Sequence, residues 1–418
     1  MEERLPKGKK LAGAMASVPS TAPYGTAYLV QQPPKNRIQS SLYLTDPYTM
    51  KLNSIQFLRA IAALLVVYDH SLTLQNSYGT SWQQKFFNLS RFGCIGVDLF
   101  FVISGFIILF VANNYQGKSQ GLYFLEKRFY RINPIYYILT IIAFVINLTQ
   151  NSQPVSNSLK TLFDSLLILP IRGDINDHNL IVFPGWTLVF EWLFYLLFYL
   201  IILLKVSNKF FSLTGMILLL VICGRIFKPM DLRLSLITNP ILLEFLLGCL
   251  ICYIYLTVRK IHPFIGVSCL LMGVCCYVYM IIYGFDDIWY NKNIESGTLS
   301  VARFLQWGLP SSLIVAGCIF LEKNGWFARI WNNKYALLCG DASYSIYLMH
   351  FIAFKLLRLL YKETGYFLPT DVMVWLQFFI AVAISIWFYK VVEKPLLQYM
   401  YKNWMGNTPL ISKKVLLN

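Results

Sequence analysis

The stretch CIGVDLFFVISGFIILFVAN, residues 94–113, carries one charged residue, Asp98, in 20 positions. At about 1.5 Å per helical residue it is long enough to cross the roughly 30 Å of a bilayer's hydrocarbon core. Working outward from it, comparable apolar stretches lie at 55–74, 132–149, 185–204, 210–228, 236–257, 263–283, 301–321, 341–361 and 371–392, separated by polar connectors. The expected fold class is all-α: a polytopic integral membrane protein with about ten transmembrane helices. The composition agrees, since 57% of the 418 residues are apolar and 13% charged. Those proportions exclude a disordered or collagen-like chain and an ordinary soluble domain.

The net charge of +16 would point to nucleic acid in a soluble chain. Here it follows from membrane orientation, because basic residues collect in cytoplasmic connectors, and no nucleic-acid partner is expected. With both termini in the cytoplasm, inner segments hold 23 of the 36 Lys and Arg and outer segments 12, the remaining one being Arg59 in the first span. The nine cysteines form no evident disulfide framework, and Cys249 and Cys252 read as small helix-packing residues rather than a metal or redox site. No metal site is expected. HExxH, GxSxG and GxGxxG are absent, and Gly117-Lys118-Ser119 fails as a phosphate loop because Ala112 stands where its first glycine is required.

Three regions follow. Residues 1–49, with Pro33-Pro34 and scattered Ser and Thr, read as a disordered N-terminal extension without a signal-peptide core. Residues 50–396 form the membrane domain, and 397–418 a short cytoplasmic C-terminal tail. MKLNSIQFLRA at Met50 reads as a natural start. SLKTLFDSLLILP, residues 158–170, is apolar but too short to cross, and is expected at the membrane surface.

Ionisable residues inside spans are costly and draw attention. Arg59 and His70 are eleven residues apart in LRAIAALLVVYDH, three turns with a remainder of about 20°, so they share a helix face with His70 about 16 Å further along. A polar path fits this spacing; the alternative is an arginine snorkelling to the inner surface and a histidine capping the outer end. Asp69 points about 100° away from its neighbour His70 and is a poor orienter for it. Asp98 needs a partner, for which Arg59 or another residue of the polar path is the candidate. The glycines at 93, 96 and 105 suit close helix contact. In KRFYRINP, residues 127–134, Arg128 and Arg131 lie one turn apart and, with Lys127, offer a fork for phosphate oxygens; pairing with lipid phosphate is the other reading. Glu191 sits one turn inside WTLVFEWLFYL, where a structural and a catalytic role both fit. Ser343, Ser345, Tyr347 and His350 read as packing polar groups, and Glu393-Lys394-Pro395 as a helix stop.

Taken in order, SIQFLRAIAALLVVYDH, GVDLFFVISGFII, KRFYRINPIYY, WTLVFEWLFYL, SYSIYLMHF and VEKP, spread from Ser54 to Pro395, resemble the integral-membrane acyltransferase-3 family of bacterial polysaccharide and lipopolysaccharide O-acyltransferases. The start at Ser54 is similar to members associated with exopolysaccharide acylation. Thr187 departs from the serine more usual in that family, and no hydrolase-like domain follows the last span, so transfer is expected to finish on this domain or a separate protein. The resemblance implies a bacterial inner-membrane enzyme, in contact with membrane lipid, taking an acyl group from cytoplasmic acyl-CoA, expected to be acetyl-CoA, to a hydroxyl of a glycan acceptor. It implies His70 as general base, Arg128 and Arg131 at the CoA phosphates, and Arg59 and Glu191 holding the donor or orienting the base. Direct transfer and transfer through the histidine both remain open. Two non-enzymatic readings stand beside it: a transporter or flippase for a lipid-linked or anionic glycan, and a structural subunit of an export complex.

Since residues 1–49 hold neither a span nor a matching motif, a chain beginning at Met50 is expected to insert and keep its activity. Assay of the truncated protein in washed membranes tests this; loss of activity in a properly inserted truncation refutes it.

Overall fold

The computed structural model describes residues 52–75, 91–148, 155–168, 180–364 and 369–405, and among these there is no strand. The expected N-terminal extension lies outside the described residues. The main helices are α1 (Asn53–Gln75), α2 (Ile95–Ala112), α3 (Gly117–Leu148), α4 (Val155–Leu167), α5 (Trp186–Leu203), α6 (Lys209–Phe227), α7 (Leu242–Thr257), α8 (Pro263–Tyr283), α9 (Leu309–Lys323), α10 (Lys334–Asp341), α11 (Ser343–Thr364), α12 (Thr370–Phe388) and α13 (Lys394–Met400). Among the described residues nine helical stretches are long and apolar enough to cross a membrane, or ten when the bent pair Lys334–Asp341 and Ser343–Tyr361 counts as one. Each overlaps one of the ten stretches read from the sequence, and the chain is a multi-pass membrane protein.

Helix α1 runs through the middle, packed by α2, α9, α10, α11 and α12. Its buried Ala60, Ala62 and Ala63 keep it thin enough for this many neighbours. Its first turn, whose N–H groups have no partner within the helix, is capped by a carboxylate from α9: Asn53 N donates to Glu322 Oε1 at 2.9 Å and Ser54 N to Oε2 at 3.0 Å. The expected role of the glycines is observed. A Cβ on Gly96 would collide with the Ala62 carbonyl of α1, one on Gly105 with the Phe245 carbonyl of α7, and one on Gly248 with the Val102 carbonyl of α2. Cys249, in the same crossing, is buried and donates its thiol to the Gly105 carbonyl at 3.3 Å. Cys252 is buried as well. Both therefore serve packing.

Three local departures from the sequence reading matter for the site. The third span does not begin at 132: α3 starts at Gly117, so the KRFYRINP segment is helical and Arg128 and Arg131 share a face. The ninth span is broken by 70° between α10 and α11, which puts Asp341 and Ser343 at the break. Pro395 does not stop the tenth span. A π-helical turn, Tyr389–Glu393, shifts the hydrogen-bond register just ahead of it, and Pro395 then sits in the first turn of α13, where its missing N–H costs little. Residues 401–405 extend the helix further, so the start of the expected tail is helical, and residues 406–418 lie outside the described residues.

Helix α4, within the stretch expected at the membrane surface, is 13 residues long, too short to cross. It leaves Leu159, Phe163 and Leu167 exposed at fourfold spacing, while Ser165 on its other face is held by the Tyr136 hydroxyl, which donates to its carbonyl at 2.9 Å. An exposed apolar stripe on a short helix is what an interfacial helix presents.

The α2–α7 crossing brings backbone onto backbone, so there is no flexible side chain to yield. Gly248→Leu is expected to cost more than the roughly 1–3 kcal/mol typical of an overpacked core, with loss of the monodisperse detergent-solubilised species on gel filtration. A Gly248→Leu protein as thermostable as the parent would show that this crossing relaxes freely.

Candidate active site

A cavity of about 460 Å³ opens among α1, α2, α3, α5, α10 and α11, within the usual range for small-ligand sites. Helical periodicity supplies its wall. Gln56 and Arg59 come from one face of α1, Thr187, Glu191 and Tyr195 from consecutive turns of α5, and Ser343, Tyr344 and Tyr347 from the start of α11. Lys127, Arg128 and Arg131 of α3 line it on the side expected to be cytoplasmic, together with Asp341 from the broken span and Tyr389 from the π turn. Irregular backbone inside a membrane bundle survives where it borders such a cavity.

Of the residues singled out from the sequence, Arg59, Arg128, Arg131 and Glu191 meet here. Their commitments differ. Arg131 Nη1 donates to Glu393 Oε1 at 3.1 Å, and Ser345 Oγ donates to Glu393 Oε2 at 2.5 Å; the Glu393 side chain is fully buried and that of Arg131 is 28% exposed. Glu393 and Ser345, read from the sequence as a helix stop and a packing group, thus hold one arm of Arg131. Arg128 and Arg131 consequently do not present two equally free forks. The Arg128 Nε is buried with no hydrogen-bond partner among the described residues, and its guanidinium faces the rings of Phe124 and Tyr195 at 5.6 and 5.8 Å. Arg59 makes no side-chain hydrogen bond among the described residues; Glu393, Asp341 and Glu191 act on it only at longer range. Glu191 accepts from the Tyr195 hydroxyl and from Ser104 Oγ, the latter at 3.3 Å.

His70 is elsewhere. It does not line the cavity that Arg59 lines. Tyr347, at the cavity wall, has its hydroxyl 2.9 Å from Thr187 Oγ1 and 3.2 Å from the Pro184 carbonyl. One turn beyond Tyr347, His350 is buried, and its Nε2 lies 2.8 Å from His70 Nδ1. The two imidazoles are nearly parallel, with centroids 5.0 Å apart, and Phe183 meets His70 edge-on. His350 does hydrogen-bond, as its sequence context suggests, but its partner is His70, 280 positions away. Asp69 turns aside to Cys94, whose thiol donates to it at 3.3 Å, in keeping with its expected direction.

Asp98 finds neither Arg59 nor the polar path. Arg303 grips it with both arms, Nε to Oδ1 at 2.9 Å and Nη2 to Oδ2 at 2.8 Å, and donates Nη1 to the Ile288 carbonyl at 3.0 Å. Both side chains are fully buried. This pair fastens α2 to the turn ahead of α9, beside Glu244, and is structural. Sequence reasoning missed Arg303; an arginine in the first turn of an otherwise apolar span was the signal that could have found it.

The two α3 arginines are expected to respond oppositely to removal. Arg131→Ala strands the buried Glu393 carboxylate and should cost about 3 kcal/mol or more, read as a lower melting temperature of the purified protein. Arg128→Ala breaks no ion pair and should melt close to the parent. Equal melting temperatures for both variants would contradict this division.

Residues 52–390 match the acyltransferase-3 family, described as an acyltransferase domain. The chain is similar to the exopolysaccharide production protein ExoZ of Rhizobium meliloti, 28% identical over 73% of this chain and 90% of that protein. It is similar to the acyltransferase MdmB of Streptomyces mycarofaciens, 30% identical over 36% of this chain and 39% of that protein. The O-acetyltransferase OatA of Staphylococcus aureus is 25% identical over 62% of this chain and 45% of its own length, so the chain spans less than half of these last two relatives. No solved structure matches the chain. With a family match over most of its length and a membrane bundle built around a basic cavity, the chain belongs to the acyltransferase-3 family and is a membrane acyltransferase.

Proposed function

We propose that this protein moves an acetyl group from acetyl-CoA, on the cytoplasmic side of a bacterial inner membrane, to a hydroxyl of a cell-surface glycan of the exopolysaccharide or lipopolysaccharide type, with both termini in the cytoplasm. The observation that carries the reading is the cavity's charge. Arg128 and Arg59 face it without an ion-pair partner at hydrogen-bonding distance among the described residues, and a half-buried guanidinium without an anion loses part of its solvation unless a ligand supplies one. Arg128, with Lys127 and the free arm of Arg131, suits the phosphates of a CoA donor. Arg59 and Glu191 stand deeper and would hold the donor's acyl-bearing arm. The predominance of basic residues in the inner connectors supports the orientation, and the ExoZ and OatA names support a polysaccharide acceptor and an acetyl group.

At Thr187 and Tyr347 the cavity wall comes close to the His70–His350 pair, the Tyr347 and His350 ring centroids lying 6.4 Å apart. A donor reaching that wall from inside and a hydroxyl arriving from outside would meet beside His70. His70 Nε2 takes the hydroxyl proton as the oxygen attacks the thioester carbonyl; the C–O bond forms, the C–S bond breaks, and the departing thiolate receives that proton. Glu191, which lines the cavity one helical turn beyond Thr187 and already accepts two hydrogen bonds, serves the donor side rather than the proton transfer.

General-base assistance typically contributes about 10² to 10⁴ in rate, so His70→Ala should lower transfer of labelled acetyl from acetyl-CoA into alkali-labile glycan ester by roughly that factor, while binding of acetyl-CoA is retained. Transfer near the parent rate removes His70 from the reaction. Failure of vesicles holding the parent protein to consume acetyl-CoA would favour a transporter instead.

A further inference from the structure

The His70–His350 contact has a direction, and a neighbouring group sets it. His350 Nδ1 lies 3.0 Å from the Ile346 carbonyl oxygen. A carbonyl only accepts, so Nδ1 of His350 carries the proton, and in a neutral imidazole its Nε2 then carries a lone pair. That Nε2 lies 2.8 Å from His70 Nδ1, which must therefore be the donor. The proton of neutral His70 is thereby placed on Nδ1, and its Nε2 is left with the lone pair. Among the described residues no hydrogen bond engages that Nε2, and the His70 side chain is partly exposed whereas His350 is buried.

We propose that His350 is a positioning residue that sets the tautomer of His70, fixing its proton on Nδ1 so that the Nε2 lone pair faces the acceptor hydroxyl. The inference rests on the reading of His70 as the general base. In many histidine bases a carboxylate performs this task. Here the carboxylate nearest in sequence, Asp69, is turned to Cys94, and the Tyr347 hydroxyl is committed to Thr187 and Pro184, which leaves His350. The arrangement also suits the full cycle. When Nε2 of His70 takes the proton from the attacking hydroxyl, Nδ1–H stays donated to His350; when Nε2 returns that proton to the leaving thiolate, the same tautomer is restored. Neither ring has to turn. A residue wanted only for packing at position 350 needs no lone pair there.

The chain has four histidines, so solid-state ¹⁵N spectra of the full-length, histidine-labelled protein in lipid can be assigned by single substitutions. The expected spectrum has His70 protonated at Nδ1 and unprotonated at Nε2, and His350→Leu should shift His70 toward the other tautomer. In washed membranes supplied with labelled acetyl-CoA, His350→Leu should lower the maximal rate of transfer to native glycan by roughly 10², since a histidine base held in the wrong tautomer is severely impaired. The acetyl-CoA concentration giving half that rate should not change. His350→Gln, whose side-chain oxygen can accept from His70 Nδ1–H, should recover most of the rate. Two results overturn the proposal: a parent spectrum with His70 protonated at Nε2, which needs no variant to fold, or a His350→Leu protein turning over at the parent rate. The second result combined with an inactive His70→Ala would sink this inference alone, whereas a fully active His70→Ala would sink the base assignment itself.

Discussion

A charge inside hydrocarbon has to be answered by another side chain, because lipid tails supply no partner. Among the described residues three carboxylates show how that demand is met. Asp98 is gripped by Arg303, Glu393 by Arg131 and Ser345, and Glu322 by the free N–H groups at the start of α1. These contacts fasten α2 to the approach to α9, α3 to the π turn after α12, and α9 to α1. Against that background Arg59 and Arg128 stand out. They project into the same cavity without such a partner, and the difference separates side chains that hold the bundle together from side chains turned toward a ligand.

The backbone is irregular where the cavity needs it to be. An unbroken ninth span would carry α11 straight on from α10; the 70° break instead brings Asp341, Ser343 and Tyr344 to the cavity wall. The π turn at Tyr389–Glu393 contributes Tyr389 to that wall and the Glu393 carboxylate that holds Arg131. Each irregularity would cost free energy in a helix facing lipid, and each is tolerated because side chains of neighbouring helices surround it. The α2–α7 and α1–α2 crossings work in the opposite sense, since glycines let backbones approach closely and leave no room for a change in register.

Thr187 and Tyr347, joined through their hydroxyls, stand together at the cavity wall. The arginines and Glu191 line the cavity, whereas His70 and His350 pair with each other outside its lining. At the wall, Thr187 adds a methyl group that a serine would lack.

Apolar length and charge asymmetry by themselves determined that the chain is all-helical, that it crosses the membrane about ten times, and roughly where each span lies, because crossing hydrocarbon is a local requirement that each segment meets alone. Small residues at 93, 96 and 105 likewise revealed close packing faces. The ordered motifs identified the family, and singling out Arg59, Arg128, Arg131 and Glu191 picked the residues that share the cavity. Which charge answers which was decided only in three dimensions. Asp98 and Arg303 are 205 positions apart, Arg131 and Glu393 262, and His70 and His350 280, and helical periodicity says nothing about contacts between helices. The same holds for the surroundings of Arg59 and His70: both lie on α1, but Arg59 lines the cavity and His70 meets His350, and only tertiary packing brings those neighbours there.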